Sequence, residues 1–307
     1  MTTCTIVPPI KCQGIKTKLI SWISEVAPTN FEGRWVEPFA GSCAVGFNLS
    51  PRRALFADSN PHIINFYNGI VAGDITPDVA REHLVKEGAE LKRTEGEHYY
   101  VIRDRFNTNA SPLDFLFLNR ACFNGLMRFN RRGGFNVPFC RKPERFAKAY
   151  ITKICNQIKA VATACNSGDY QFKCQDYKTT ISDSNEDDLI YCDPPYIGRH
   201  ADYYNDWRES HEVYLANALK SSGARFILSS WHGNAYRTNP ILSKTWGNYN
   251  ILTKHHFYHV GAKEKNRNSM TEALVTNYSI VADEDVASRD SFGGETHISQ
   301  HITPSVG

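Results

Sequence analysis

The sequence predicts an α/β fold in which a parallel sheet is interrupted by a mostly helical insert. A short apolar run, RWVEPFAG, precedes a helix-like AVGFNL and then a second apolar run, RALFADSN. This strand–helix–strand order is typical of parallel strands with ligand groups at their carboxyl ends. The pattern gives way to charged, helical sequence and resumes later in the chain. We therefore predict one α/β domain (1–62 and 151–283), an insert (63–150) and a polar tail (284–307).

The other elements follow from hydrophobic periodicity and from turn residues. Residues 17–27 place apolar side chains at helical spacing, and the polar break at 30–33 ends that pattern. Three later apolar runs that end in polar residues predict strands: YQFKCQDY, DLIYCDPPY and ARFILSSW. The segments ILTKHHFYHV and EALVTNYSIVA predict a closing antiparallel pair. A Gly- and Asn-rich loop is expected at 130–136.

Composition is that of a soluble globular protein. The apolar share is 41% and the aromatic share 12%, which is enough to build a core. No stretch approaches the roughly 20 apolar residues that cross a bilayer, and the N-terminus lacks the apolar core of a secretory signal. The nine cysteines include no Cys-x-x-Cys spacing, so we expect reduced, mostly buried thiols. We predict a cytoplasmic protein with no membrane segment.

Positive charge is concentrated in the insert. Residues 119–153 carry nine Lys or Arg against one acid, Glu144, in a chain whose net charge is only +3. Four phenylalanines lie among these cations: Phe123, Phe129, Phe135 and Phe139. A charge run is often only a solvated surface, but the interleaved aromatic rings favour a surface that binds nucleic acid phosphates.

The most specific motif is Asp193-Pro194-Pro195-Tyr196, which follows the apolar run LIYC. A carboxylate at Asp193 and the carbonyl of Pro194 can accept both hydrogens of an exocyclic base amine, which makes its nitrogen a better nucleophile. The two prolines restrict the backbone so that this carbonyl points inward, and Tyr196 offers a face on which an extruded base can stack. Taken alone, the tetrapeptide is equally compatible with an ordinary turn after a strand.

A second motif, residues 36–42 (VEPFAGS), ends the first strand and precedes a helix. Gly41 allows a ligand to approach the backbone, and Phe39 can lie beside a cationic sulfonium. Asp58 ends the second strand, where a carboxylate can bind both hydroxyls of a ribose. Each signal is weak by itself. Asp58, for example, could equally cap a helix that begins near Pro61.

Together these motifs give the chain a family resemblance. It resembles the Dam-type, D12-class DNA adenine N6-methyltransferases, in which the cofactor motif comes first and Asp-Pro-Pro-Tyr last. The likeness is carried by PPIKCQGIKTKL, FLFLNRACFNGLMRFN, GGFNVPFC and YCDPPYIGRH, and extends to about residue 280. It implies a Rossmann-like S-adenosylmethionine-dependent methyltransferase sheet with an inserted, mostly helical target-recognition domain.

The resemblance also implies roles for individual residues. Catalysis is expected from Asp193, Pro194, Pro195 and Tyr196. Contacts to S-adenosylmethionine are expected from Cys12, Lys16, Glu37, Pro38, Phe39, Gly41, Asp58, Asp176, Tyr177 and Asp193. The chain departs from the family pattern at Cys12, where Trp is common, and at Cys43, which replaces a usual glycine.

Target recognition is expected in the insert. Phe123, Asn124, Leu126 and Arg128 match the family hairpin that enters the duplex at the target adenine. Arg128 is expected to read a guanine edge in bidentate fashion, with Phe123 wedged near the vacated base; a core position is the alternative for Phe123. Phosphate contacts are expected from Arg131, Arg132, Arg141, Lys142 and Arg145.

Several alternatives stay open from sequence. N4-cytosine methylation uses the same geometry, although Ser is usual there at the position of Asp193, and RNA adenine methylases usually carry Asn. A DNA-binding protein without catalytic activity is a third possibility. The expected partner is double-stranded DNA, bound by a monomer. Whether a cognate restriction endonuclease acts separately beside it is open.

Three histidines, His255, His256 and His259, cluster near a predicted strand. No carboxylate or thiol completes a set of metal ligands there. We therefore expect no metal and favour structural or DNA-facing histidines.

Overall fold

The computed structural model describes residues 5–28, 31–197, 207–234, 236–257 and 269–280. Within them the strands are β1 (Trp35–Glu37), β2 (Arg53–Asp58), β3 (Asp169–Cys174), β4 (Leu189–Cys192), β5 (Arg225–Asn234), β6 (Arg237–Thr238), β7 (Asn250–Phe257) and β8 (Ser269–Thr276). The helices are α1 (Ile20–Val26), α2 (Ala44–Leu49), α3 (Pro61–Val71), α4 (Pro77–Arg93), α5 (His98–Asn109), α6 (Pro112–Ala121), α7 (Lys148–Ser167), α8 (Tyr177–Ser182), α9 (Glu209–Ser222) and α10 (Pro240–Trp246).

These strands form one sheet in the order β3-β2-β1-β4-β5-β8-β7, with β6 paired to β5. Strands β1 to β5 run parallel, and β8 lies antiparallel between β5 and β7. The strand order reverses between β1 and β4. In open α/β sheets the ligand crevice lies at the carboxyl ends of the strands beside such a reversal. The topology therefore directs attention to the residues that follow β1, β2 and β4.

The centre of the sheet is covered on both faces. Strands β1 and β4 are buried at every position, as expected for the middle of a parallel sheet. Their side chains alternate between two cores: Trp35 packs with the core that includes α1 and α2, whereas Val36 packs with the core that includes α9 and Trp246. Because both faces of β1 and β4 are packed, the residues at the ends of these strands are held in fixed positions.

The insert is built from α4, α5 and α6, which pack against α3 and α7. Helix α4 begins where Thr76 accepts a hydrogen bond from the Val79 N–H and a proline occupies the first turn. The loop over residues 122–140 folds back on itself through bridges between Cys122 and Phe139 and between Phe129 and Phe135. The domain boundaries predicted near residues 62 and 150 fall within α3 and α7.

Most of the predicted elements are present, with differences at their ends. The helix predicted over 17–27 is shorter, because Leu19 is its N-cap residue and the residues before it form a turn. The antiparallel pair β7–β8 is confirmed, and β8 also pairs with β5. The predicted tail, 284–307, lies outside the described residues. In the described part of the chain, no helix is long and apolar enough to cross a membrane.

The described cysteines are all free thiols, as predicted. Cys43, Cys122, Cys155, Cys165 and Cys192 are buried, Cys12 and Cys140 are half-buried, and Cys174 is exposed.

Candidate active site

A cavity of about 660 Å³ lies at the carboxyl ends of β1, β2 and β4. It brings together every residue expected to contact the cofactor: Cys12, Lys16, Glu37, Pro38, Phe39, Gly41, Asp58, Asp176, Tyr177 and Asp193. Pro195 of the tetrapeptide and Leu126 of the insert also line it. Residues far apart in sequence, from Cys12 to His211, thus share one site, of the size that small-molecule ligands occupy.

The carboxylate of Asp193 is held by Lys16. The Lys16 ammonium donates to both carboxylate oxygens, at 2.6 and 2.8 Å, and to the Gly14 carbonyl at 2.9 Å. Lys16 is only 6% exposed, so a buried cation faces a partly buried anion. Burial raises the pKa of Asp193, while the charge and hydrogen bonds of Lys16 oppose that rise. Lys16 was expected as a cofactor ligand, and its contacts in the structure are to Asp193 and Tyr196 of the tetrapeptide and to the Gly14 carbonyl.

Hydrogen bonds and ring contacts with neighbouring strands hold the tetrapeptide in place. Tyr191, just before it, is buried, shares a hydrogen bond of 2.8 Å with the Ser229 hydroxyl and stacks on Trp35. The Tyr196 hydroxyl donates to the buried Glu272 carboxylate at 3.5 Å, and its ring centroid is 5.2 Å from the Lys16 ammonium. These contacts fix the position of the tetrapeptide relative to β5 and β8.

Glu37 stabilises the turn that follows β1. Its Oε1 accepts hydrogen bonds from the Trp35 indole N–H at 2.8 Å and from the Gly46 N–H at 2.7 Å. Burial raises the pKa of Glu37 to about 8, although the two hydrogen bonds act against the rise. Gly46 is required here, because a Cβ would lie 2.5 Å from the Phe56 ring.

Asp58 is tied to the same turn through backbone amides. Its two oxygens accept from the Gly41 N–H at 2.9 Å and the Asn60 N–H at 2.8 Å, and burial raises its pKa. The alternative role as a helix cap falls to Asn60, whose side chain accepts from the His62 N–H at the start of α3. Gly41 and Cys43 both have left-handed backbone conformations, with φ of +47° and +56°. Cys43 thus occupies a conformation that glycine adopts more readily.

An aromatic wall closes one side of the cavity. Phe39 stacks on Tyr177 with ring centroids 5.1 Å apart, and Trp207 packs edge-on against Phe39 at 5.5 Å. Asp176 caps α8 by accepting from the Lys178 N–H. Sequence reasoning missed four lining residues at the start of α9: Trp207, Arg208, Ser210 and His211. The one signal for them was topological, because a helix that follows a parallel strand begins beside the carboxyl edge.

The loop of the insert reaches the same cavity. Leu126 and Met127 line it, while Phe123 is 52% exposed and Asn124 is exposed in a left-handed conformation, with φ of +54°. The core alternative for Phe123 is therefore wrong. Arg128 is half-buried, and its guanidinium donates to the Asn136 side chain at 2.9 Å.

The predicted phosphate contacts are mostly at the surface. Arg131, Arg132, Arg141 and Lys142 are exposed, whereas Arg145 is half-buried and donates to the Arg120 carbonyl.

The interpretation of the interleaved phenylalanines as a nucleic acid surface is wrong for two of the four. Phe129 and Phe135 are 9% and 1% exposed. Phe129 stacks on His62 and packs edge-on against Phe135, because the two bridged residues point into the insert. Phe139 is half-buried and stacks on Tyr99.

The histidine cluster shows no metal geometry in the described residues. His255 is exposed and lies 3.1 Å from the Thr271 hydroxyl, and His259 lies outside the described residues. Across the described ranges, no three His, Cys, Asp or Glu side chains are grouped so that they could hold a metal ion.

Comparison with known proteins identifies the family. M.FokI, a type II methyltransferase of Planomicrobium okeanokoites, is 27% identical over 287 residues, covering 90% of this chain and 44% of M.FokI. The retron Ec67 DNA adenine methylase of Escherichia coli is 33% identical over 232 residues, covering 72% of this chain and 76% of that protein. A DNA adenine methylase of Vibrio cholerae is 36% identical over 191 residues, covering 61% of this chain and 64% of that protein. This chain thus spans less than half the length of M.FokI.

The family profile described as D12 class N6 adenine-specific DNA methyltransferase matches residues 13–264, which include the cavity, the tetrapeptide and the insert. The chain therefore belongs to the D12 class of N6 adenine-specific DNA methyltransferases.

Proposed function

We propose that this chain transfers a methyl group from S-adenosylmethionine to N6 of an adenine flipped out of duplex DNA. The observation that carries the proposal is the Lys16–Asp193 pair in a cavity shared by the turn after β1, the end of β2 and the loop of the insert. A methyl acceptor held at Asp193 and a donor held along β1 and β2 would meet in that one space.

The cavity suits an adenosyl cofactor. The carboxylate oxygens of Asp58 each keep a lone pair for ribose hydroxyls after accepting their backbone N–H. The rings of Phe39 and Tyr177, which line the cavity and stack on each other, offer an aromatic surface to the adenine ring. S-adenosylmethionine supplies a methyl group on a positively charged sulfur that departs as a neutral thioether.

The residues around Asp193 act on the adenine amine. Ionised Asp193 and the Pro194 carbonyl accept the two N6 hydrogens, which frees the nitrogen lone pair for attack on the methyl carbon. Transfer would form an N–C bond as the donor's C–S bond breaks, and Asp193 could take the proton that N6 then loses. Lys16 favours the ionised carboxylate before transfer, and its two hydrogen bonds leave further acceptor sites on both oxygens. Alignment of donor and acceptor in the shared cavity supplies much of the rate.

DNA is expected to dock on the insert. The exposed arginines and Lys142 would neutralise phosphates, and Phe123 would fill space near the extruded adenine. We infer that the enzyme modifies a single short sequence. GATATC, with its first adenine methylated, is the proposed site, because the four segments that carry the family likeness are similar to the EcoRV modification methylase. GATC, as in Dam, is the second candidate.

The biological setting is proposed from the relatives. M.FokI is a type II methyltransferase, and a modification methylase, StsI of Streptococcus sanguinis, is 28% identical over 286 residues, covering 88% of this chain and 42% of StsI. We propose that this chain is the modification enzyme of a type II restriction-modification system, acting as a monomer apart from any cognate endonuclease.

Substitution of Asp193 by Ala tests the mechanism. Loss of the acceptor carboxylate should lower the rate of methyl transfer to a GATATC duplex by at least about 10²–10³-fold, with DNA affinity within about threefold of the original. Transfer of a labelled methyl group and fluorescence anisotropy measure the two quantities. Asp187→Ala, at an exposed acid before β4, is the matched control and should retain full activity. Undiminished transfer by Asp193→Ala would overturn the mechanism.

A further inference from the structure

Trp207 forms the third ring of the aromatic wall, together with Phe39 and Tyr177. Its ring centroid lies 5.5 Å from Phe39 at 84° and 5.4 Å from Tyr177 at 60°. All three side chains line the cavity. Because the three rings pack directly on one another, they form a continuous aromatic surface against which a planar heteroaromatic ligand can lie.

Glu212 holds this indole in place. Its Oε2 accepts from the Trp207 indole N–H at 2.7 Å, and its Oε1 accepts from the Trp246 indole N–H at 2.9 Å. Glu212 is 5% exposed, and burial raises its pKa. One buried carboxylate on α9 thus joins two indoles that are 39 positions apart in sequence.

The second indole is a fixed anchor. Trp246 ends α10, is fully buried and packs against Phe226 of β5 and against Tyr249. Glu212 accepts one hydrogen bond on each carboxylate oxygen. The bond from Trp246 therefore restrains the carboxylate, and the carboxylate restrains the Trp207 indole. A buried carboxylate is costly to maintain unless its hydrogen bonds are satisfied, and here both oxygens have indole donors.

We propose that Glu212 is a positioning residue that fixes Trp207 within the aromatic wall against which the adenine ring of the cofactor lies. This inference rests on the proposed use of S-adenosylmethionine. Glu212 lies outside the cavity lining and acts only through Trp207.

Calorimetric binding of S-adenosylhomocysteine to the full chain, without DNA, tests the proposal. In Glu212→Gln one oxygen becomes an amide that cannot accept an N–H, so one indole bond is lost. Affinity should fall about tenfold. Trp207→Phe removes the indole donor to Glu212 together with part of the wall and should weaken binding by at least as much. The double variant should bind no worse than Trp207→Phe alone, since both changes act through one contact.

Kinetics supply the readout that a merely structural role would not give. The KM for S-adenosylmethionine should rise by a similar factor in Glu212→Gln, while kcat at saturating cofactor stays within about threefold. Glu209→Gln, an exposed acid on the same helix that pairs with Lys244, should change neither quantity.

Two other outcomes are distinguishable. If Glu212→Gln and Trp207→Phe both bind S-adenosylhomocysteine as tightly as the original chain, and only their melting temperatures fall, Glu212 is structural and the inference is overturned. If the original chain itself does not bind S-adenosylhomocysteine, the proposed function fails and this inference fails with it.

Discussion

Lys16 and Asp193 are 177 positions apart in sequence, and in the structure they form the charged centre of the site. Sequence reasoning expected both in the cofactor site but could not show that they touch, because their contact depends on where the N-terminal segment crosses the sheet. The pair has a consequence for pH dependence. Burial raises the pKa of Asp193, and Lys16 is the principal group that opposes the rise.

Lys16→Met should move the acid limb of the pH–kcat profile to higher pH. Without the ammonium, the pKa of Asp193 rises further, because the adjacent positive charge that favours the ionised carboxylate is lost. The carboxylate then ionises only at higher pH, so the loss of activity should be greatest in acid and smaller in alkali. The measurement is kcat from pH 6 to 10 at saturating cofactor. Lys18→Met, at an exposed lysine, should leave the profile unchanged. An equal loss at every pH would show that Lys16 does not tune Asp193.

Other residues show where sequence patterns are informative and where they are not. Glu37, Asp58 and Asp193 end or follow strands, and parallel strands bring their carboxyl ends together, so their grouping could be predicted. The burial of Phe129 and Phe135 could not, because the direction of a side chain in an irregular loop has no periodicity to reveal it. Trp207 lies in no recognisable motif.

At the scale of elements, the turn from β1 to α2 depends on Glu37. The raised pKa of its carboxyl, about 8 against an ordinary 4.5, means that the folded protein binds a proton more tightly there than the unfolded chain. This contribution to stability is complete below the ordinary pKa and is lost as the pH rises through about 8. Ligand-free enzyme should therefore lose stability as the pH rises from about 4.5 to about 8, with little further loss from this group above that pH.

Glu37→Gln should remove that loss. The amide oxygen still accepts from Trp35 and Gly46 but never ionises, so the variant should exceed the original chain at pH 9 by on the order of 2–4 kcal/mol in free energy of unfolding. Melting curves from pH 6 to 9 check this. If the stability of both proteins falls equally with pH, Glu37 is not the group whose ionisation causes the loss.

The helices of the insert are joined by a charged network. Arg105 of α5 donates to Asp114 of α6 at 2.5 and 2.7 Å and to Glu87 of α4 at 3.1 Å. His98 lies 2.5 Å from Glu87. Burial alone would raise the pKa of Asp114 and of Glu87, but hydrogen bonds to Arg105 and the histidines hold both below their ordinary values. Their contribution to stability is present above the ordinary carboxyl pKa and lost as the pH falls.

Arg105→Met should lower the free energy of unfolding by about 2–3 kcal/mol at pH 7, because it leaves two buried carboxylates without their cation. This loss of free energy of unfolding is smaller than for a fully buried ion pair, because the Arg105 side chain is 39% exposed. Urea denaturation measures it, and the difference from the original chain should shrink in acid. Arg93→Met, which breaks an exposed pair with Glu90 on α4, should lower the free energy of unfolding far less, because water screens that pair. Equal effects of the two changes would contradict the role of the network.

At the scale of the whole molecule, DNA is expected to bridge the insert and the sheet. Lys142→Ala should weaken binding to all duplexes alike and reduce the slope of log affinity against log salt by about one, as for a single phosphate contact. Arg128→Ala should instead relax sequence preference, at a cost of about 1–3 kcal/mol for the cognate site. Binding isotherms on cognate and scrambled duplexes at several salt concentrations separate the two. A sequence-independent loss in Arg128→Ala would assign Arg128 to the backbone.

The global topology could be predicted in outline. The alternation of strand and helix predicts the parallel sheet, and the change in composition predicts the insert. Two features could not be read from the sequence. The insertion of β8 between β5 and β7 depends on pairing between distant segments, and β6 consists of only two residues, too short for any pattern.

The most direct test of the central claim is single-molecule sequencing of an unmethylated plasmid incubated with the purified protein and S-adenosylmethionine, with Asp193→Ala treated in parallel. We expect N6-methyladenine at one short motif, GATATC, and none in the variant. Modification at GATC would correct the site but keep the chemistry. N4-methylcytosine, or no modified base despite intact DNA binding, would contradict the account.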